Sequence, residues 1–235
     1  MMKHAPFSQM IAIVGGSGSG KGWMCERLVR LLGEHAGRIS LDDFYRDRSY
    51  LAPNRRNRAN FDIPGAIDWE CAEQVLHDCL MGRPTRAPRY DFVTHVRRPD
   101  REVWNPKPLV VVEGLWLLWR ESTRRLFDLK IYLDCPESLR LSRRVARDVA
   151  ERGRTAASVK TRFQSIAPLH ERYVEPQKQW ADLVMSQPFR EAEIIQLADR
   201  LWVLLQNGPL LPAWMRETFR AELLTLLKAD ELSPD

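Results

Sequence analysis

The feature that most constrains this chain is the run Gly15-Gly16-Ser17-Gly18-Ser19-Gly20-Lys21, which follows the apolar stretch Met10–Val14 and opens a segment of helical spacing. The run fits G-x-x-x-x-G-K in the strand-to-helix context that this pattern requires. Its glycines let the backbone fold tightly and turn several N–H groups to one side. A polyphosphate is then held by a nest of donors at a helix N-terminus, with Lys21 reaching its terminal phosphates. A bare Gly/Ser linker would need neither the strand, the lysine nor the helix. Residues Gly15, Gly16, Ser17, Gly18, Ser19, Gly20, Lys21 and Gly22 are therefore the candidate nucleotide-binding loop. One position departs from the pattern: the Ser or Thr whose hydroxyl normally ligates Mg²⁺ is Gly22, and Trp23 follows it. Either other oxygens and water hold the metal, which Mg²⁺ tolerates, or catalysis is impaired.

The rest of the pattern is that of βαβ units around a mostly parallel sheet, because short apolar runs alternate with longer amphipathic ones. Strands are predicted at Met10–Val14, Arg38–Leu41, Leu109–Val112, Leu129–Leu133 and Leu183–Met185. Met24, Leu28 and Leu31 mark one helix face, and Asp68 is an N-cap for a helix over Trp69–Leu80. A further helix is expected to start near Pro136, which suits the first helical position. It should run through Leu139, Leu141, Val145 and Val149 toward Gly153. Residues 83–108, rich in Pro and aromatics, read as a loop or hairpin excursion. Leu210–Leu227 has helical apolar spacing after a Gly-Pro break and is expected to dock on the domain, or to form a homo-oligomer contact.

The 235 residues suit one core better than two. With 36 Lys+Arg against 31 Asp+Glu, the net charge of +5 points to an anionic partner. Residues 140–162 hold eight bases, at Arg140, Arg143, Arg144, Arg147, Arg152, Arg154, Lys160 and Arg162, and two acids, so this stretch alone carries +6. Four of its arginines, Arg140, Arg143, Arg144 and Arg147, share a helix face and can converge on phosphate oxygens. The surplus is thus local and points to small phosphates; no RRM, KH or helix-turn-helix pattern supports nucleic acid. The longest apolar stretch is too short for a membrane span, and residues 1–10 lack a signal-peptide block. Cys25, Cys71, Cys79 and Cys135 show no metal-binding spacing and read as reduced residues of a cytoplasmic protein.

Ligands of open α/β sheets bind beyond the carboxyl ends of the strands. Two carboxylates are offered there, Asp42 after the second predicted strand and Glu113 after Leu109–Val112. Either can orient a hydroxyl, accept its proton or hold metal-bound water.

These blocks, with Asp42-Asp43-Phe44-Tyr45, Asn60-Phe61-Asp62, Tyr90-Asp91-Phe92-Val93-Thr94-His95, Val112-Glu113-Gly114, the arginines from Arg143 to Arg154 and Glu175-Pro176-Gln177-Lys178-Gln179-Trp180-Ala181-Asp182, stand in the order of the uridine (uridine–cytidine) kinases. The chain resembles that family over residues 8–187. The resemblance implies a P-loop kinase fold with an Arg-rich helical lid over about 140–162 and substrate-rim segments at about 42–68 and 88–100. A domain of residues 1–205 would carry these, followed by a helical extension, 206–235. It implies transfer of a phosphoryl group from ATP or GTP, with Mg²⁺, to the 5′-hydroxyl of uridine or cytidine. Asp42 would be the base and Lys21 the phosphate-binding cation. Asp42 and Glu113 would hold the metal, through water. Asp62 would accept from the ribose, with Arg144 nearby; Tyr90 and His95 would read the pyrimidine, with Phe61 and Phe92 as aromatic faces. Arg147 and Arg152 would face the donor, and Arg154 and Arg162 the substrate.

The chain departs from the family pattern at Gly22-Trp23, at Ile63-Pro64-Gly65-Ala66-Ile67 where His-Pro-Asp-Ala-Phe is usual, and at Arg162 where Gln is usual. Arg162 keeps open a second reading, in which the acceptor is another small alcohol such as a different nucleoside, nicotinamide riboside, pantothenate or a sugar phosphate. The missing loop hydroxyl keeps open a third, a nucleotide-binding sensor without turnover.

Overall fold

The computed structural model describes residues 8–56, 59–99 and 103–206. In chain order the elements are β1 (Gln9–Gly15), α1 (Lys21–Leu32), β2 (Ala36–Ser40), α2 (Pro53–Arg56), α3 (Trp69–Leu80), β3 (Thr85–Arg86), β4 (Tyr90–Asp91), β5 (Val96–Arg97), β6 (Val103–Trp104), β7 (Leu109–Gly114), α4 (Glu121–Arg124), β8 (Leu129–Asp134), α5 (Glu137–Arg152), α6 (Ala156–Ser165), α7 (Ala167–Tyr173), β9 (Leu183–Ser186) and α8 (Glu191–Gln206). Five strands form one sheet in the order β2-β7-β1-β8-β9, with every neighbour parallel. All five predicted strands are in it.

The central strands are apolar without alternation because both faces are covered. Met10, Ala12 and Val14 enter one core with Val110, Val112 and Trp116, while Ile11 and Ile13 enter the other with Val111, Ile131 and Leu133. Full burial of a side chain of this size contributes roughly 1.5–3 kcal/mol. The parallel register sets Ile13 beside Glu113 and Ser40 beside Glu113, so the loop after β1 emerges next to the carboxyl ends of β2 and β7.

The helices follow their capping signals, with one correction to a face. Asp68 caps α3 by accepting from the Cys71 N–H at 3.3 Å, as its place in the sequence predicts. In α1 the buried stripe is Met24, Cys25, Leu28 and Leu32, and Leu31 is turned out, 40% exposed. At about 100° per residue, Leu28, Leu32 and Cys25 fall roughly 40°, 80° and 100° to one side of Met24 and Leu31 roughly 20° to the other, so the buried face is centred between Met24 and Cys25 and leaves Leu31 at its edge. In α5, Pro136 is the N-cap, one residue ahead of the predicted position, and Gly153 closes the helix at φ 61°. Its buried side chains are Arg140, Arg144 and Asp148. The apolar residues it was expected to run through are less buried than these: Leu139, Leu141 and Val145 are half-buried and Val149 is exposed. This helix faces a cavity, and its buried charges compensate one another there.

Residues 83–108 form two short antiparallel ribbons, β3 with β6 and β4 with β5. The excursion is anchored at Gly37 of β2, where a Cβ would lie 2.6 Å from the Trp104 ring. Helix α8 packs Ile194, Leu197 and Leu201 with Met24 and Leu28 of α1. No sequence reading placed a helix there. The expected terminal helix Leu210–Leu227, and with it the homo-oligomer contact, lies outside the described residues. Among the described residues no helix is long and apolar enough to cross a membrane. No disulfide joins the four cysteines; Cys25, Cys79 and Cys135 are buried and Cys71 half-buried.

Candidate active site

The loop between β1 and α1 is seated on the start of α5, and its glycines are what allow that approach. At Gly18, with φ +83°, a Cβ would fall 2.3 Å from the Arg140 carbonyl oxygen; at Gly16 it would fall 2.7 Å from the Arg140 guanidinium and 2.9 Å from the His170 ring. Gln187 fixes the other side: its amide donates to the Ser19 carbonyl at 3.0 Å and accepts from Arg143 at 3.2 Å. The Lys21 ammonium donates to the Gly16 carbonyl at 3.0 Å. Burial holds its pKa below the ordinary lysine value, although Glu113 and Asp42 pull it back up.

Asp42 sits in a 3-10 turn, Leu41–Phe44, directly after β2, with Ser40 capping it. Its pKa is pushed up to about 6, first by burial and then by the nearby Glu113, against the pull of Lys21, Arg152 and Arg147. Glu113 Oε1 accepts from Ser40 Oγ at 2.7 Å and from Arg38 Nη2 at 3.0 Å. Arg38, which also pairs with Glu26, was no candidate in the sequence; it stands in a strand otherwise read only for burial.

This donor set does not fit Mg²⁺ held in the way the sequence implies. The loop offers no hydroxyl at Gly22, and one Glu113 oxygen is already taken by a guanidinium and a hydroxyl. Among the described residues no three His, Cys, Asp or Glu side chains are grouped to hold an ion. A magnesium ion demands octahedral oxygens, and a fixed cation, Arg38, occupies part of the place beside Glu113.

A cavity of about 550 Å³ opens in front of the loop. Of the predicted residues, Ser17, Asp42, Phe61, Asp62, Tyr90, Phe92, His95, Arg144, Arg147, Arg152, Arg154 and Arg162 all line it. Lys21, Glu113 and the remaining loop residues lie outside its lining. One wall is aromatic. Phe61 stacks on His95, with ring centroids 4.7 Å apart and 17° between planes, and Tyr90 meets Phe92 edge-on at 5.4 Å. His95 is the one non-glycine residue among those described with positive φ, 57°. A tight turn holds it there, its N–H donating to the Asp91 carbonyl at 2.9 Å. Burial and then the cations Arg154 and Arg152 hold its pKa below the usual imidazole value, so it is neutral at pH 7. The Asp43 carboxylate accepts from the Tyr90 N–H at 3.1 Å and ties this wall to the turn that carries Asp42.

The opposite wall is cationic and has one root. Asp148 is wholly buried, accepts from Arg147 at 2.8 Å and Arg154 at 3.2 Å, and pairs with Arg152 at 3.4 Å and Arg144 at 3.7 Å. Burial alone would raise its pKa; Arg147 and Arg152 outweigh this and hold it below the usual carboxylate value. Arg152 also lies over the Phe92 ring, at 4.8 Å, and so joins the two walls. Asp62 is ion-paired with Arg162.

Several residues of the cavity were not singled out in the sequence. Tyr45 lines it and donates from its hydroxyl to the Phe61 carbonyl at 3.0 Å. Trp116 and His170 line it too, His170 beside Glu175 at 3.3 Å and held neutral, chiefly by burial and then by Arg140, which bring its pKa to about 4. The Tyr90 hydroxyl, the Trp116 indole N–H and two Arg144 nitrogens are buried without hydrogen-bond partners. Unpaired buried donors are costly, and three such residues around one cavity are what a polar ligand would satisfy. Tyr45 stood within a quoted block, and Trp116 two positions after Val112-Glu113-Gly114, but nothing in the sequence marked either as facing a ligand.

Comparison with known proteins agrees with this geometry. Residues 10–192 match the family model described as Phosphoribulokinase / Uridine kinase family. Among curated proteins, the uridine kinase of Brevibacillus brevis is 35% identical over 180 residues, 76% of this chain and 84% of that protein. The uridine kinase of Halobacterium salinarum is 35% identical over 192 residues, 81% of this chain and 85% of that protein. Among solved structures, phosphoribulokinase from Rhodobacter spheroides shares the fold with a TM-score of 0.58 at 20% identity, over 76% of this chain and 70% of that one. The chain belongs to the phosphoribulokinase/uridine kinase family, whose members are phosphotransferases acting on alcohol groups.

Proposed function

We propose that the protein transfers the terminal phosphoryl group of ATP or GTP to the 5′-hydroxyl of a pyrimidine nucleoside, uridine or cytidine. The observation that carries this reading is that Asp42 lines the same cavity as the phosphate-loop residue Ser17 and the Phe61–His95 stack. The hydroxyl oxygen forms the new P–O bond, its proton passes to Asp42, and the bond to the nucleoside diphosphate breaks. A carboxylate titrating at about 6 is mostly ionised at pH 7 and so able to take that proton. Lys21, the loop N–H groups, Arg147 and Arg152 stabilise the charge on the transferring and leaving phosphates. Phe61 and Phe92 offer faces for the base, Tyr90 and His95 its polar edge, and Asp62, Arg144 and Arg154 the ribose. The arginines of residues 140–162 act as a lid that excludes water. The functional unit is residues 1–205, with 206–235 as an extension, and the enzyme works in the cytoplasm.

Product formation from labelled ATP or GTP across a panel of nucleosides tests this reading; turnover of no pyrimidine nucleoside would overturn it. The Tyr90 hydroxyl supplies a finer check. In Tyr90→Phe a buried hydroxyl without a partner is removed, so thermal stability should hold or rise slightly. The KM for the nucleoside should rise about 5- to 10-fold, the worth of one hydrogen bond. Unchanged KM would take Tyr90 out of base recognition.

A second reading is favoured by the Arg162–Asp62 ion pair, which occupies the carboxylate meant for a ribose hydroxyl. With Arg144 and Arg154 on the same cavity, an acceptor alcohol that itself carries a phosphate would be matched in charge. Arg162→Gln separates the two. If the acceptor is a neutral nucleoside, freeing Asp62 should lower its KM or leave it unchanged. If the acceptor is anionic, the same change should raise KM about tenfold, the loss of one charge-assisted pair.

A further inference from the structure

Where the family pattern has a hydroxyl on the phosphate loop, this chain has Gly22, and a side chain at 22 would crowd a neighbouring guanidinium. A Cβ built there would lie 3.3 Å from Arg38 Nη2, the same nitrogen that donates to Glu113 Oε1 at 3.0 Å. Arg38 reaches this place from β2, the strand next to β7, and its second terminal nitrogen is tied to Glu26 on α1. Two features that look unrelated in sequence, a missing hydroxyl at 22 and an arginine at 38, therefore meet at one point. A serine at 22 would press its Cβ on the guanidinium, and its hydroxyl would have to share the approach to Glu113. A divalent ion at that point would lose the loop hydroxyl, find one Glu113 oxygen occupied, and stand against a permanent positive charge.

We propose that Arg38 is the resident cation of the donor site, standing where the loop hydroxyl and its metal would be, and that Gly22 is small to make room for it. Arg38 thereby neutralises Glu113, one of the two carboxylates beside Lys21, and acts as a positioning residue for the phosphate loop. Any Mg²⁺ present belongs to the nucleotide, held by its phosphates and water and by no side chain of the loop. Donor binding is then largely uncoupled from divalent ions. The proposal rests on the donor-nucleotide part of the reading above and is independent of which alcohol is phosphorylated.

The test is calorimetric titration of the full chain with the non-hydrolysable analogue β,γ-imido-ATP, in MgCl₂ and in EDTA. In the wild type, removing Mg²⁺ should weaken binding by less than about threefold. In the double variant Gly22→Ser with Arg38→Val, which restores the hydroxyl and removes the cation, the same change should weaken binding by about tenfold or more. Mn²⁺ paramagnetic resonance gives a readout that needs no nucleotide: the double variant should deplete the free-ion signal and the wild type should not. A wild-type loss of more than threefold in EDTA overturns the proposal, whether or not the variant folds. Absence of analogue binding under both conditions overturns it together with the donor assignment. A failed nucleoside panel with intact analogue binding overturns only the acceptor assignment.

Discussion

Asp42→Asn is expected to lower kcat/KM for phosphoryl transfer by about 10²- to 10⁴-fold, the usual worth of a positioned general base, while the analogue still binds. The substitution keeps the shape of the side chain and removes only its capacity to take a proton. The wild-type rate should rise with pH through about 6 and flatten above it, and the residual activity of the variant should lack that limb. Stability should move the other way. The folded-state pKa of Asp42 lies above its unfolded value of 3.8, so its favourable contribution is complete below that value and is lost as pH rises through about 6. At pH 7 the wild type therefore carries an unfavourable buried charge, and Asp42→Asn should melt at the same temperature or slightly higher. A variant both inactive and less stable at pH 7 would mean that Asp42 is structural.

Asp148→Ala should have the largest effect on stability of any single change at the site. Its carboxylate is wholly buried and gathers Arg144, Arg147, Arg152 and Arg154. Removing one partner of a buried ion pair costs roughly 3–5 kcal/mol. Because Arg147 and Arg154 are about a third exposed and partly screened, a loss near 3 kcal/mol is expected, or roughly 6–12 °C in Tm. The nucleotide affinity should fall as well, because Arg147 and Arg152 lose their common anchor. Added salt should recover part of both losses by screening the arginines from one another. The pKa of Asp148 is held below 3.8, so its contribution is present above that value and lost as pH falls through the lower folded value. The variant's stability should show no such acid limb. Normal melting of Asp148→Ala would show that the arginines separate freely and that the buried carboxylate holds nothing together.

The five strands and the loop were legible because each rests on local pattern: unbroken apolar runs for strands covered on both faces, and glycines at spacings that only a phosphate nest requires. The cap at Asp68 was legible for the same reason. The span of α5 was legible, from Pro136 to Gly153, but the burial of its charges was not, because hydropathy has no means of scoring compensation. Arg140, Arg144 and Asp148 are its buried side chains, since a carboxylate among arginines removes the penalty that each charge alone would incur. Most of the cavity residues could be named in advance because they stand in ordered blocks shared with a family. Trp116 and His170 could not, as they enter the cavity by the packing of elements distant in the chain. Arg38 was hidden in a third way. Its meaning depends on Gly22, sixteen positions away, and only the packing of α1 against β2 brings the two together.

The Gln187 amide joins the phosphate loop, through Ser19, to the arginine helix, through Arg143. One side chain thus sets the spacing between the backbone donors of the loop and the guanidinium array, and it does so before any nucleotide arrives. The ordering entropy of these groups is already spent in folding, so the heat of donor binding should report contacts made and water released, with little contribution from chain ordering. A site of this kind recognises its ligand as a rigid mould does, and its selectivity for phosphate spacing is inherited from the stability of the fold itself.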